Sequence, residues 1–288
     1  MHLFTKKKRF LLLLSLSLGT VSEAQVLRFT YEYWYKRDAG AKGYHLAGDM
    51  TLDWDGSRGA FYSEATYLCD SIGTLAFDRR GEIVDEEKYA ERMRMNYGHF
   101  NRLHIDYGAQ RFYQDFDGAL VHVRGNGILE MPEWELLDEE QEFRGYRCRK
   151  AQAGYLGRRW TAWYTEEIPV NAGPWLLWGL PGLIVGATDS EKLFQFALRW
   201  TEEVAESRYD ALDEYYLYSI RNNWHEWSYE EASKYWTRYE TDLDFQSQAV
   251  GGMIVRSFDR NGLEDDPRKY MKYIPIVPDA YWGKKSAR

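Results

Sequence analysis

Cysteine is scarce in this chain: Cys69 and Cys148 are the only two in 288 residues. That excludes a disulfide-rich scaffold and a four-thiolate zinc site. Proline is scarce too, at seven, and Pro267, Pro275 and Pro278 sit close to the C-terminus. Beyond the first residues no apolar run approaches the ~20 that a membrane-spanning helix needs. Positive charge is in deficit, with 37 Lys and Arg against 45 Asp and Glu and a net charge of −8. That argues against nucleic acid or an anionic membrane surface as a partner.

Catalytic signatures are also missing. There is no Gly-x-Ser-x-Gly elbow, no Ser-x-x-Lys set and no reactive-cysteine pattern. Gly125-Asn126-Gly127 reads as a turn, not a phosphate loop. His45, His99, His104, His122 and His225 stand singly, without the His-x-x-x-His spacing of a zinc helix. Asp53-x-Asp55-x-Ser57 with Glu64 has the oxygen spacing of a calcium loop. Arg58, however, stands where that loop needs glycine and places a cation among the ligands. Glu166-Glu167 and Asp265-Asp266 are neighbours in sequence, whereas a glycosidase needs its pair across a cleft. No catalytic residue, metal or cofactor is implied, and the reading leans away from an enzyme.

What the chain does hold is aromatic residues, 12 Trp, 23 Tyr and 13 Phe, set in period-two patterns. Leu27, Phe29, Tyr31, Tyr33 and Tyr35 alternate with Arg28, Thr30 and Glu32. Leu46, Met50, Leu52 and Trp54 alternate with His45, Asp49, Thr51 and Asp53. Each pattern predicts a strand with one buried and one solvated face. Asp55-Gly56 marks a turn, and Ala60–Leu68 is the return strand. Further strands are predicted at Arg102–Tyr107, Gln110–Phe116, Leu120–Arg124, Glu130–Leu137, Tyr146–Gln152, Arg158–Thr165, Phe194–Trp200 and Tyr215–Ile220. Asp138-Glu139-Glu140 reads as a solvated turn. In Arg158–Thr165, Trp160, Ala162 and Tyr164 face one way and Trp163 the other. Two short helices are predicted, one capped by Asp85 and one opened by the capping box Ser228-Tyr229-Glu230-Glu231.

Lys6-Lys7-Lys8-Arg9, the apolar stretch Phe10–Leu18 and Ser22-Glu23-Ala24 follow the order of a secretory signal peptide, predicting cleavage after Ala24. The apolar stretch is too short to span a bilayer, so no integral span is expected once residues 1–24 are removed. Residues 25–260 then form a single β-rich domain, and 261–288 an extended or partly disordered tail. Export places the protein in the periplasm or outer envelope. There Cys69 and Cys148 either pair or remain buried thiols; sequence alone leaves both open.

Gly179-Leu180-Pro181-Gly182-Leu183-Ile184 reads as a type II corner, with Gly182 taking a positive φ, feeding a buried strand. The hexapeptide also resembles the signature of the GLPGLI family, secreted bacterial proteins of uncertain function. So do Gly145-Tyr146, Cys148, Lys150-Ala151, Gly157-Arg158, Ala162-Trp163-Tyr164-Thr165, Ile168-Pro169 and Gly173-Pro174-Trp175. The match is close from about Glu133 to Asp189 and loose elsewhere. The first strands followed by Phe61-Tyr62-Ser63 resemble the family's N-terminal part.

The expected class is α+β and predominantly antiparallel: a curved meander sheet or open barrel, with two short helices against its concave face. That pattern is similar to the envelope lipoprotein carriers of the LolA/LolB type. The analogy implies a cavity for an apolar or lipidic ligand or an envelope protein, with Trp175, Trp178 and Trp163 as ligand-binding candidates. A cavity packed solid by its own side chains would remove the ligand half of that expectation. The alternatives are a carbohydrate-binding module using exposed Trp and Tyr rings, and a hydrolase whose carboxylates converge only in the fold.

Overall fold

The computed structural model describes residues 26–36, 39–78, 82–95, 102–117, 122–208 and 224–249, with 257–258, 264–265, 276–278 and 281. The predicted signal peptide, His99, the strand read at Tyr215–Ile220 and most of the tail lie outside the described residues.

A first meander runs β1 (Val26–Tyr35), β2 (His45–Trp54), β3 (Arg58–Ser63), β4 (Arg102–Asp106), β5 (Arg111–Asp117) and β6 (His122–Ile128). A second runs β7 (Glu135–Phe143), β8 (Tyr146–Tyr155), β9 (Arg158–Thr165), β10 (Leu183–Asp189) and β11 (Phe194–Val204). β11 pairs with β1, and β12 (Trp224–Ser228) adds parallel to β6. One twelve-stranded sheet results, in the order β12-β6-β5-β4-β3-β2-β1-β11-β10-β9-β8-β7.

Connectivity forces this sheet to curl. β6 and β7 lie ten strand spacings apart, roughly 48 Å if the sheet were flat. The segment between them, Leu129–Trp134, reaches at most roughly 20 Å. The two ends of the sheet must therefore approach one another. No pairing joins β7 to β12 among the described residues, so the barrel is open.

Rings fill the concave side. Phe29, Tyr31, Tyr33, Phe61, Trp160, Tyr164, Phe194 and Phe196 are each no more than 1 % exposed. Phe196 stacks on Tyr33 (centroids 4.8 Å apart) and meets Phe61 and Trp160 edge-on or tilted. Aromatic side chains of this kind each bury roughly 150–250 Å² and dominate core energetics.

There are four helices among the described residues. Helix α1 (Glu64–Ala76) falls where the return strand was expected to continue. Ser63 ends β3, and its hydroxyl accepts from the Thr66 amide, capping the helix. Helix α2 (Glu86–Met93) is capped by Asp85, as its sequence indicates. Helix α3 (Tyr229–Thr241) opens on the Ser228–Glu231 capping box, and α4 (Leu243–Ala249) follows. Helix α3 packs into the concavity: Tyr229 meets Phe112 at 4.8 Å and Trp236 meets Phe116 at 5.7 Å. Helix α1 lies on the convex face instead, where Tyr67 packs on Tyr62.

Gly125-Asn126-Gly127 is part of β6, not a turn. A Cβ on Gly125 would lie 2.8 Å from Ala232 Cβ and 3.2 Å from Tyr229 Cα, so the glycine lets α3 settle on the strand. Asp138-Glu139-Glu140 lies inside β7 at a bulge between Leu137 and Glu140. The hairpin turns later, where Arg144 (φ 54) and Gly145 (φ 88) are both left-handed. Cys148 packs in the main core and Cys69 lies on α1 across the sheet, so both are buried and no disulfide joins them. Burial pushes each thiol up to about 11. Within the stretch expected to be a tail, Ile276 and Val277 are buried in the core, and Arg158 Nε donates to the Ile276 carbonyl at 2.7 Å.

Candidate functional site

Between β9 and β10 the chain crosses the concavity. Val170, Ala172, Trp175, Leu176, Leu177, Trp178 and Leu180 are all buried. A turn at Pro174 (Leu177 N–H to Pro174 O, 3.2 Å) gives Trp175 a φ of 55, rare for a bulky side chain. The Trp175 ring then stands against Trp160 (5.7 Å) and Tyr155 (6.2 Å). Trp178 tilts onto Tyr107 at 5.5 Å. Its indole N–H donates to the Glu130 carbonyl (3.3 Å), and its own carbonyl accepts from Trp134 (2.8 Å). The corner is thereby fastened to the β6–β7 crossover.

The hexapeptide turns by a different device from the one expected. Gly179, not Gly182, takes the positive φ, at +90. Gly182 is required by space: a Cβ there would lie 2.0 Å from the Thr165 carbonyl oxygen. Leu183, Ile184 and Val185 then run fully buried into β10, and Tyr31 OH donates to the Ile184 carbonyl at 2.9 Å.

The three tryptophans singled out in the sequence do not line one surface. Trp175 is 1 % and Trp178 7 % exposed, both within the packed core. Trp163 alternates away from Trp160 and Tyr164, and Lys150 Nζ lies 5.8 Å from its ring.

The convex face of β1–β6 carries a feature that the sequence reading passed over. Its outward residues form cross-strand rows. One row runs Thr30, Thr51, Tyr62, Arg102, Asp115, Arg124 and Glu226. The next runs Glu202, Arg28, Asp53, Ala60, His104, Tyr113 and Asn126. A third, at the strand ends, runs Arg58, Asp106, Arg111 and Ile128. The polar faces of β1 and β2 were expected to be solvated, yet Arg28, Thr30, Thr51 and Asp53 are buried, as are Arg102 and Asp115.

Buried charge survives only when paired, and here it is. Arg28 holds Asp53 at 2.6 and 3.1 Å, and Asp53 also accepts from Tyr62 OH, Ser207 Oγ and the Arg208 amide. Asp70 of α1 meets Arg102 at 3.0 Å, and Arg124 grips Asp115 at 2.7 and 3.0 Å. Arg208 bridges to Glu64, which also accepts from Thr51. Asp53 and Glu64, read from spacing as calcium-loop positions, are thus engaged by arginines.

Beyond these pairs a cleft of about 660 Å³ opens on the same face. Ala60, His104, Tyr113 and Asn126 line it, with Asp55, Arg58, Asp106, Arg111 and Ile128 toward the strand ends. His104 stacks on Tyr113 (4.4 Å, 16°), whose ring is covered by the Arg124 guanidinium at 4.1 Å. Burial, with Arg102 and Arg124 adding positive charge nearby, pushes His104 down to about 3, so its ring is neutral at ordinary pH. Arg58 pairs with Asp55 at 3.0 Å but keeps 65 % of its side chain exposed. Asp106 accepts from the Ala109 amide (2.7 Å), and Asn126 donates to the Trp227 carbonyl (3.3 Å). Arg111 makes no ion pair among the described residues. In sequence these positions appear only as polar members of short strands; register is what gathers them.

Residues 156–186 match a family model described as "Protein of unknown function (Porph_ging)". That stretch holds β9, the interior crossing and the Gly179–Ile184 hexapeptide. No curated protein matches the chain. Two solved structures, titled as PNGF-II in a C2 and in a P21 space group, are similar to it. They are 12 % and 13 % identical to it, each with a TM-score of 0.48 and 82 % of this chain covered. The chain spans about a third (35 %) of the length of each.

Proposed function

We propose that this chain is an exported, non-enzymatic binding protein of the cell envelope, of the GLPGLI type. We further propose that it binds on its convex face and not inside the curled sheet. The carrying observation is the contrast between the two faces. Trp160, Trp175, Leu177 and Leu180 occupy the concavity at 1 % exposure or less. The cleft beside His104 and Tyr113, by contrast, is open, and Asp55, Arg58, Asp106, Arg111 and Asn126 stand among its lining residues. A lipid carrier would have to expel its own core to load cargo. The order of basic, apolar and small residues before Gln25 supports export, and the acidic balance suits a soluble envelope protein.

Native mass spectrometry with lipid extraction tests this on protein purified from an envelope fraction without detergent. The expected spectrum is one mass starting at Gln25, with no lipid. A stoichiometric co-purifying lipid would overturn the convex-face reading in favour of a carrier.

A further inference from the structure

We infer that the convex-face cleft takes an uncharged oligosaccharide. This rests on the reading of that cleft as the binding surface and names what fills it.

Charge comes first. Asp53 is neutralised by Arg28 and three further hydrogen bonds, and Asp55 by Arg58. Asp106 and Arg111 remain, directly opposite one another in register. The free charges of the cleft therefore cancel, leaving no field to select a strongly anionic or cationic ligand.

Shape and topology narrow the choice further. The floor strands β3, β4 and β5 each already have two sheet neighbours. An extended peptide therefore finds no edge to pair with there, which removes the main-chain recognition that peptides rely on. What the cleft does offer is a mixed set of fixed partners. Arg58, Arg111 and Asn126 donate, and Asp106 accepts. Ala60 and Ile128 add apolar surface, and Ile128 is 73 % exposed at the mouth. Hydroxyls that each donate and accept, alternating with C–H faces, match this lining; so does a volume of about 660 Å³, within the roughly 300–1,000 Å³ of small-molecule sites.

The test is amide chemical-shift mapping on the full mature chain. The probes are neutral trisaccharides of glucose, mannose, galactose and N-acetylglucosamine, with trigalacturonate and trialanine for comparison. Arg111→Ala and Arg58→Ala, both at exposed positions, are titrated in parallel after their melting temperatures are matched to wild type. The expected result is a neutral trisaccharide that shifts the amides around Ala60, His104, Asp106 and Ile128, weakened about tenfold in Arg111→Ala. If trigalacturonate or trialanine shifts those amides and no neutral sugar does, the ligand class is wrong while the cleft remains the binding surface. Neutral binding that maps elsewhere and ignores both variants overturns the assignment to this cleft. If no probe moves a cleft amide, the convex-face reading falls with it.

Discussion

Gly182 is the residue that lets the corner pack, for a steric reason. Any side chain there meets the Thr165 carbonyl. Gly182→Ala should cost about 3 kcal/mol or more, as a backbone clash in a packed core does. Pro181 is exposed, and Pro181→Ala should act mainly through the unfolded chain, by less than about 1 kcal/mol. Urea titrations of the two variants check this, and equal losses would contradict it. The hexapeptide itself is legible in sequence, as is the buried strand that follows it. Which glycine bends and which makes room is not, because that depends on where Thr165 is brought by strand pairing. His104 gives a second prediction at this scale. Its folded-state value lies near 3, below the ordinary 6.5. The unfolded chain therefore takes up a proton that the folded one refuses, and stability falls as pH drops from about 6.5 toward 3. His104→Gln should flatten that slope by up to one proton, as measured by denaturant midpoints between pH 7 and 4. An unchanged slope would show that the ring does not stay neutral.

Among the elements, β1–β6 show where period-two reading succeeds and where it stops. It places Phe29, Tyr31, Tyr33, Met50 and Leu52 inward, as found. It also treats Arg28 and Asp53 as solvated, because polar residues at alternate positions usually are, and assigns no face to Arg102 and Asp115. Their covering comes from α1 and from Ser207–Arg208, far away in sequence. Helix α1 itself escapes a strand reading that runs through the Ser63 cap. Removing the central cation tests this covered layer. Arg102→Met leaves Asp70 and Asp115 buried beside an apolar side chain and should cost about 3–5 kcal/mol. Arg58→Ala, which breaks an exposed pair, should change stability by no more than about 1 kcal/mol. A loss below about 1 kcal/mol in Arg102→Met would mean that the pairs are solvated after all.

For the molecule as a whole, an antiparallel meander with few helices was legible from strand patterns. The decisive closure was not: β11 returns to β1, and the short β6–β7 crossover pulls the ends of the sheet together. The site was less legible than the fold. Tryptophans near the signature look like a ligand rim in sequence, yet the crossing segment carries Trp175 and Trp178 into the core. The cleft, in turn, is assembled from short strands through register. Whether the interior is a sealed core can be measured directly, by hydrogen exchange of the tryptophan indole N–H groups in D2O. Trp160 and Trp175, at 0 % and 1 % exposure, should persist for hours while Trp200, at 45 %, exchanges at once. Exchange of Trp160 and Trp175 as fast as that of Trp200 would mean that the barrel opens to solvent, and that its inside, not its convex face, is where ligands go.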